Sequence, residues 1–427
     1  MQHRMRNTAG YGFARETVAW FRREAWSVLG GLICGLSLLS SCADHSYPGE
    51  EALTEEIELT PESSYPIIIS VGNSILDEST PDMASRASSF KHPVYVYSFK
   101  KDLATDFRIT TAENHDVCLI DGSKSPTPTL QGKKAYVGTE EPYLVWSEEP
   151  TTMYYLNNNQ PYDVYGYYLD GLELTDEAVD RTQEGIRLKV NINGRQDLMS
   201  SKAVVTDEQL KQANIPANDW ALMREQCFSG YTAASNIQPM LEFKHHLTKL
   251  VFRLYPAVQN AWKTTINSIT VRAKTEGYFT VAHSSVGNMG VNFSETTTYG
   301  ELPLTEADGT PLLQDTYRPV QEGVDYSLPM YERPSVQVGD CLMVPPGETT
   351  YVCEVQMTQL LDDGTLHSFK NTLQVTNGQA GFQAGNQYTV KLAIYGLQEI
   401  GVDVSVEPWL DGGDVSIDPD EEMGAQK

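Results

Sequence analysis

Residues 241–252 read Leu-Glu-Phe-Lys-His-His-Leu-Thr-Lys-Leu-Val-Phe, a stretch without Gly or Pro. From Thr248 onward apolar and polar residues alternate with a period of two, which predicts a β-strand with one buried face. Neighbouring side chains of a strand point to opposite faces, so His245 and His246 cannot chelate one metal ion together. We therefore expect His245 to be a hydrogen-bonded histidine of a β-sheet core.

The same period of two recurs along much of the chain and predicts an all-β fold. Strands are predicted for runs with alternating apolar residues at 67–71, 94–99, 186–192, 251–254 and 400–406. Turn dipeptides separate such runs and predict short antiparallel hairpins. They are Asp121-Gly122, Asn193-Gly194, Asp363-Gly364 and Asn377-Gly378.

One helix interrupts this pattern. Thr206 precedes Asp207 and Glu208, and Gln209 stands where a capping box needs it. Ile215 and Pro216 would end this helix, which we expect to be a surface insertion. A stretch rich in Ser, Gly, Ala and Asn at 230–239 predicts the break between two β-sandwiches, over residues 63–235 and 236–427.

The N-terminus has the features of an export signal. A basic stretch precedes an apolar run over 28–39 that is too short to span a bilayer, which predicts a signal peptide over residues 1–41. The run ends in Leu39-Ser40-Ser41-Cys42, which resembles the lipobox of bacterial lipoproteins. The resemblance implies acyl chains such as palmitate on Cys42 and a membrane contact by lipid anchor. An ordinary signal peptide followed by a chance cysteine is the alternative.

Charge restricts the possible partners of the mature chain. After position 41 it has 26 Lys and Arg against 55 Asp and Glu, a net charge of −29. Nucleic acid and anionic lipid headgroups would repel such a chain, so neither is an expected partner. The acidic residues at 42–62 predict a solvated tether.

Cysteine is sparse beyond Cys42. Cys341 and Cys353 flank a predicted turn at Pro345-Pro346-Gly347 and would face each other if that turn closes a hairpin. Whether they form a disulfide stays open at this point, because bonding needs a geometry that spacing alone does not give.

Four segments in order resemble the fimbrillins, the type V pilins. The 241–252 stretch, with Phe243, His245 and Lys249, resembles the strand that opens their C-terminal domain. The other three are the aromatic strand over 162–168, the turn Gly194-Arg195-Gln196-Asp197-Leu198-Met199, and a closing hairpin with Phe382, Tyr388 and Trp409. The resemblance covers most of residues 65–413 and implies tandem transthyretin-like β-sandwiches. One departure is the sequence Leu169-Asp170, where the family usually continues into Pro.

In that family an arginine-specific protease removes the first strand after export, and a strand from another subunit replaces it. The resemblance implies 65–72 as this first strand, with cleavage between Arg86 and Ala87. A chain that stays intact, as family anchor subunits do, is the alternative. The donor-strand candidate has apolar residues on one face: Ile400, Val402, Val404 and Val406. If these are instead the last strand of their own sandwich, the short remaining tail favours a tip or minor subunit.

The resemblance thus implies a fimbrial subunit or tip adhesin at the outer membrane surface, with an unidentified receptor. The sequence contains no HExxH, GxSxG, P-loop or GxGxxG motif, so we expect no enzyme, catalytic residue, metal or cofactor. The alternative is a monomeric outer-membrane lipoprotein that binds glycan or another surface protein. It would use exposed aromatics, and tyrosines are frequent between 154 and 168.

Overall fold

The computed structural model describes residues 65–72, 90–102, 104–138, 143–156, 158–396 and 400–409. These residues form five β-sheets and three short α-helices, so the predicted all-β class with minor helix is confirmed. The helices are α1 (Asp207–Gln212), α2 (Trp220–Gln226) and α3 (Gly230–Ala234).

The strands, numbered in chain order, are distributed over the five sheets as follows. Sheet 1 is the parallel pair β1 (Ser70–Val71) and β10 (Met240–Leu241). Sheet 2 has the order β11 (Lys244–His245), β9 (Met199–Lys202), β6 (Tyr162–Tyr168), β2 (Val94–Lys100), β4 (Lys133–Val137), β5 (Leu144–Trp146), and β3 (Cys118–Ile120) also pairs with β2. Sheet 3 has the order β15 (Gly290–Asn292), β14 (Glu276–His283), β8 (Gly185–Asn191), β7 (Val179–Arg181). Sheet 4 has the order β17 (Val336–Val344), β12 (Thr248–Pro256), β20 (Asn386–Ile394), β21 (Ile400–Pro408). Sheet 5 has the order β16 (Tyr299–Pro303), β13 (Thr264–Lys274), β18 (Thr350–Leu360), β19 (Leu366–Thr376).

Sheets 4 and 5 enclose one core, and the alternation in the sequence explains it. On β12, Leu250, Phe252 and Leu254 are fully buried, as the period of two predicts. They share a hydrophobic cluster with Ile269 of β13 and Val355 of β18. This pair of sheets is a β-sandwich built entirely from residues after 247.

A second core joins the two halves of the chain. Strand β14 pairs antiparallel with β8, from Glu276 opposite Asn191 to His283 opposite Gly185. Phe279 of β14 and Leu188 of β8 lie in one cluster with Trp409. Strands from both sides of residue 236 therefore share a sheet and a core. The boundary at 235/236 and the tandem transthyretin-like arrangement stay predictions.

The predicted helix is confirmed. Thr206 caps α1 with a complete capping box, and Gln209 is its partner. The stretch predicted as an interdomain break differs, because residues 230–234 form α3, which has its own capping box between Ser229 and Thr232. The expectation of a surface insertion also holds only in part, since Leu210 and Met223 are buried in the core beside β10.

Cys341 and Cys353 are both free, and the topology explains why. Cys341 lies on β17 opposite Val251 of β12, whereas Cys353 lies on β18 opposite Val271 of β13. The turn at Pro345-Pro346-Gly347 therefore connects two different sheets and does not close a hairpin. The disulfide that a hairpin would have allowed is absent from these described residues.

Candidate functional site

Residues 65–72, the first-strand segment, lie between two stretches of chain that are distant in sequence. On one side the Ile67 amide donates to the Met153 carbonyl oxygen at 2.8 Å, and the Leu144 amide donates to the Ile69 carbonyl at 2.8 Å. On the other side the Gly72 amide donates to the Leu241 carbonyl at 2.8 Å. The segment is therefore hydrogen-bonded along both edges.

Its side chains follow the predicted alternation. Ile67, Ile69 and Val71 are buried, with 5%, 1% and 6% of their surface exposed, whereas Ile68 is 40% exposed. The three buried side chains belong to the hydrophobic cluster that contains Trp146 and other residues of sheet 2. The segment thus fills an apolar slot with one face, and Ile68 on the other face is exposed to solvent.

Gln238 binds the edge of the segment at Pro66 and Ile68, just before the segment pairs with β10. Its side-chain amide donates to the Pro66 carbonyl at 2.9 Å, and its Oε1 accepts from the Ile68 amide at 3.3 Å. The Gln238 backbone oxygen in turn accepts from Nε2 of Gln209, the capping-box residue of α1, at 2.9 Å. The Gln238 side chain thus makes the two hydrogen bonds that a neighbouring strand would make. Its backbone is in turn hydrogen-bonded to α1.

The donor-strand candidate is β21, the outer strand of sheet 4. It pairs antiparallel with β20 from Ile400 opposite Ile394 to Pro408 opposite Asn386. Ile400, Val402 and Val404 pack against the sandwich core, whereas Val406 is 58% exposed. Within the described residues no strand pairs with the other edge of β21. In this structure β21 is the last strand of its own sandwich, the alternative that the sequence left open.

Residues of the 241–252 stretch meet Trp409 at the end of β21. The His245 ring stacks on the Trp409 indole, with centroids 3.8 Å apart and planes at 16°. Lys249 Nζ lies 5.4 Å from the Trp409 ring centroid, within cation–π range. His245 Nδ1 is 2.7 Å from Asp197 Oδ2, which belongs to the Gly194–Met199 turn. His245 is therefore the hydrogen-bonded core histidine that the sequence predicted.

The neighbouring residues complete this cluster. Phe243 is 2% exposed and packs edge-on against Phe90 at 5.3 Å. His246 points the other way, as expected, and its Nε2 is 2.7 Å from Ser200 Oγ. Burial, together with the charges of His245 and Lys244, lowers the pKa of His246 to about 4. His246 is thus neutral at physiological pH.

Asp170 explains the sequence departure after the aromatic strand. Its φ of +48° is left-handed, a conformation that Asp tolerates better than most residues. Its carboxylate accepts from the Tyr168 hydroxyl at 3.0 Å and from the Asp197 amide at 3.1 Å. Burial, with the Asp170 carboxylate beside it, raises the pKa of Tyr168. Asp170 therefore ties the aromatic strand to the turn that holds His245.

Comparison with known proteins agrees with this convergence of motif residues. The model of the fimbrillin-like family matches residues 104–409. The chain belongs to the fimbrillin-like family. The resemblance seen in the sequence is thereby confirmed, and membership of this family indicates a fimbrial role for the chain.

Solved structures similar to this fimbrillin-like chain include two candidate cell adhesion proteins and one anchor. The protein from Bacteroides uniformis has 14% identity and a TM-score of 0.43, covering 81% of this chain and 99% of its own. The protein from Bacteroides ovatus has 12% identity and a TM-score of 0.39, with 81% and 98% covered. The fimbrial anchor protein Mfa2 from Porphyromonas gingivalis has 10% identity and a TM-score of 0.30, also with 81% and 98% covered. No curated protein sequence matches the chain.

Cys42, Arg86 and Ala87 lie outside the described residues, and so does the tail after Trp409. Within the described part, no group of three His, Cys, Asp or Glu residues is arranged to hold a metal ion. The helices found there are all too short or too polar to cross a membrane.

The aromatic strand does not offer a platform for sugar stacking. Tyr162, Tyr165, Tyr167 and Tyr168 are at most 2% exposed, whereas Tyr154 is 46% exposed. These four tyrosines of the fimbrillin-like chain therefore serve its core.

Gln238, Gly72 and Asp197 are the site residues whose roles sequence reasoning missed. Asp197 stood in a recognised turn motif, but its partner is 48 positions away. Gln238 and Gly72 carry no local signal, because their roles arise only when distant segments of the fimbrillin-like chain pair.

Proposed function

We propose that this chain is a fimbrial subunit or tip adhesin that assembles by donor-strand exchange. After export and lipidation at Cys42, a protease that recognises arginine cuts between Arg86 and Ala87. The first-strand segment then leaves, and a strand from a neighbouring subunit takes its place. The observation that carries the proposal is the position of this segment, which is hydrogen-bonded on both edges and buried on one face.

Removal of the first-strand segment would leave two unpaired backbone edges. A strand lost from the outside of a sheet exposes one edge, whereas this segment would expose two. An incoming strand can therefore pair with the backbone of 239–241 on one side and of 143–155 on the other. The slot is also lined by the apolar residues that contact Ile67, Ile69 and Val71. An incoming strand would therefore make both hydrogen bonds and hydrophobic contacts.

The energy of such a joint follows from the three buried side chains. Full burial of each aliphatic side chain contributes roughly 1.5–3 kcal/mol, so Ile67, Ile69 and Val71 together contribute roughly 5–9 kcal/mol. Ordering a free strand subtracts from this gross figure. A donor with matching side chains would still make a long-lived contact, provided that the walls keep their shape.

The walls are supported independently of the segment. Leu241 packs closely against Gly166 of β6. A Cβ added to Gly166 would lie 2.6 Å from Cδ1 of Leu241. Phe243 and His245 follow directly and are fixed by Phe90 and by Asp197 with Trp409. The motif cluster thus holds the 239–241 wall of the slot in place, which supports a preformed groove.

The proposed cleavage is tested with Arg86→Ala in cells that display the protein. We expect wild-type samples to form ladders on SDS gels that disappear on boiling, and we expect Arg86→Ala to abolish them. Arg108→Ala is the matched control, because the Arg108 side chain is 61% exposed and forms an ion pair with Asp106. The proposal is wrong if ladders persist unchanged in Arg86→Ala.

A further inference from the structure

The end of the first-strand segment is unusually close to its wall. A Cβ added to Gly72 would lie 2.8 Å from Cγ of Glu242 and 3.4 Å from Cγ of Met240. The first distance is shorter than real Cβ contacts, and Cγ is not the free end of the Glu242 side chain. To avoid this clash, the whole Glu242 side chain would have to rotate.

Hydrogen bonds oppose any movement of the backbone away from this wall. The Gly72 amide donates to the Leu241 carbonyl at 2.8 Å, and the Ser70 amide donates to the Pro239 carbonyl at 3.0 Å. These two bonds hold the segment against the 239–241 wall. Any residue other than glycine at this position must therefore either break a hydrogen bond or displace Glu242.

The rest of the slot is less selective. The Gln238 side chain hydrogen-bonds to backbone atoms of the segment, at Pro66 and Ile68, so these bonds accept any sequence with an extended backbone. The positions of Ile67, Ile69 and Val71 require apolar side chains because they are buried. The resulting pattern is apolar, any, apolar, any, apolar, glycine.

The chain's own terminal strand does not satisfy this pattern. Residues 400–407 align with 65–72 so that Val402, Val404 and Val406 occupy the apolar positions, and Ser405 matches Ser70. Glu407 then stands at the glycine position, where its charge would also face Glu242. Moving the register by two residues places Ser405 there instead, which still has a Cβ.

The tail after Trp409 does not satisfy the pattern either. Val415 and Ile417 alternate, but the next alternate positions on either side are Gly413 and Pro419. Neither contributes an apolar anchor that can pair as a strand interior, since Gly lacks a side chain and Pro lacks an amide N–H.

We propose that the slot left by the first-strand segment requires glycine at the Gly72 position. Its partner is therefore a strand of a different polypeptide with three alternate apolar residues followed by glycine, and not the terminal strand of a second copy. This inference rests on the proposed donor-strand exchange. A chain with such a slot does not extend a fibre through its own terminal strand.

The test uses the full chain with a site-specific protease sequence inserted after Arg86, so that the slot opens without the natural protease. After cleavage, labelled peptides compete with the released segment, and mass spectrometry of the isolated complex measures exchange. The peptide of residues 65–72 should exchange in. Its Gly72→Glu form should bind at least tenfold more weakly, a difference of about 1.4 kcal/mol. The peptide of residues 400–407 should bind poorly, and its Glu407→Gly form should bind at least tenfold better.

The outcomes separate the two proposals. If the 65–72 peptide does not exchange, donor-strand exchange itself fails, and the inference fails with it. If it exchanges and the Gly72→Glu peptide binds equally well, only the glycine requirement is overturned. Equal binding of the 400–407 peptide and the 65–72 peptide would also overturn it, and would favour a fibre of identical subunits.

A second measurement tests the glycine requirement in the uncut chain. Gly72→Ala should lower the melting temperature by about 1 °C or more, because the added Cβ must displace the Glu242 side chain or break the hydrogen bond to Leu241. Gly287→Ala is the matched control, because a Cβ at Gly287 meets only Ser285 Oγ at 3.9 Å. Equal melting temperatures of the two variants would contradict the close approach at Gly72.

Discussion

Ile69 and its neighbour Ile68 offer a direct test of how the first-strand segment is seated. Ile69 is 1% exposed and belongs to the core cluster with Trp146, whereas Ile68 is 40% exposed on the opposite face. Truncation of a buried Ile to Ala costs about 2–5 kcal/mol, because the transfer energy is lost and a cavity remains. We expect Ile69→Ala to destabilise the chain by about this amount.

Ile68→Ala removes the same atoms from a half-exposed position, so it should cost under about 1 kcal/mol. Urea unfolding followed by circular dichroism gives both values, with the slope m compared to detect a change in the unfolding reaction. The reasoning is refuted if the two variants differ by less than about 1 kcal/mol. It is also refuted if Ile68→Ala is the more destabilised, because the segment would then present its other face to the core.

Two further predictions concern the motif cluster. Trp409→Ala should destabilise the chain by about 3–5 kcal/mol in urea, since it removes the buried ring that stacks on His245. Trp409→Phe keeps an aromatic ring and should cost clearly less. Equal losses of stability in the two variants would argue against stacking. His246 has a pKa of about 4 when folded and about 6.5 when unfolded, so its contribution to stability is complete above pH 6.5 and declines as pH falls toward 4. The decline should be smaller in His246→Gln when urea midpoints are measured across that range, and an unchanged slope would contradict it.

Local signals predicted much of the fold correctly. The alternation on β8 and β12 identified the buried faces, and the capping box at Thr206 identified α1, because both depend on residues within one turn or one strand. The opposite directions of His245 and His246 followed from strand geometry alone.

Long-range pairing was harder to predict, for a physical reason. Whether the turn at Pro345-Pro346-Gly347 closes a hairpin or connects two sheets depends on where β17 and β18 find their partners. Hydrophobic alternation is the same in both cases. For this reason the sequence left Cys341 and Cys353 as a possible pair, whereas the topology separates them.

Local patterns likewise predicted the parts of the candidate site but not how they come together. The segment 65–72 and the motif residues His245, Lys249 and Trp409 were recognised as separate pieces. Their convergence and the Gln238 contact arise from pairing across about 170 residues, which no local pattern encodes.

The central claim is that the first-strand segment is removed and replaced. The N-terminal residue of the protein in SDS-resistant multimers from the cell surface tests it most directly. The account predicts that sequencing begins at Ala87. Multimers whose chains begin at an acylated Cys42 and still contain residues 65–72 would contradict it.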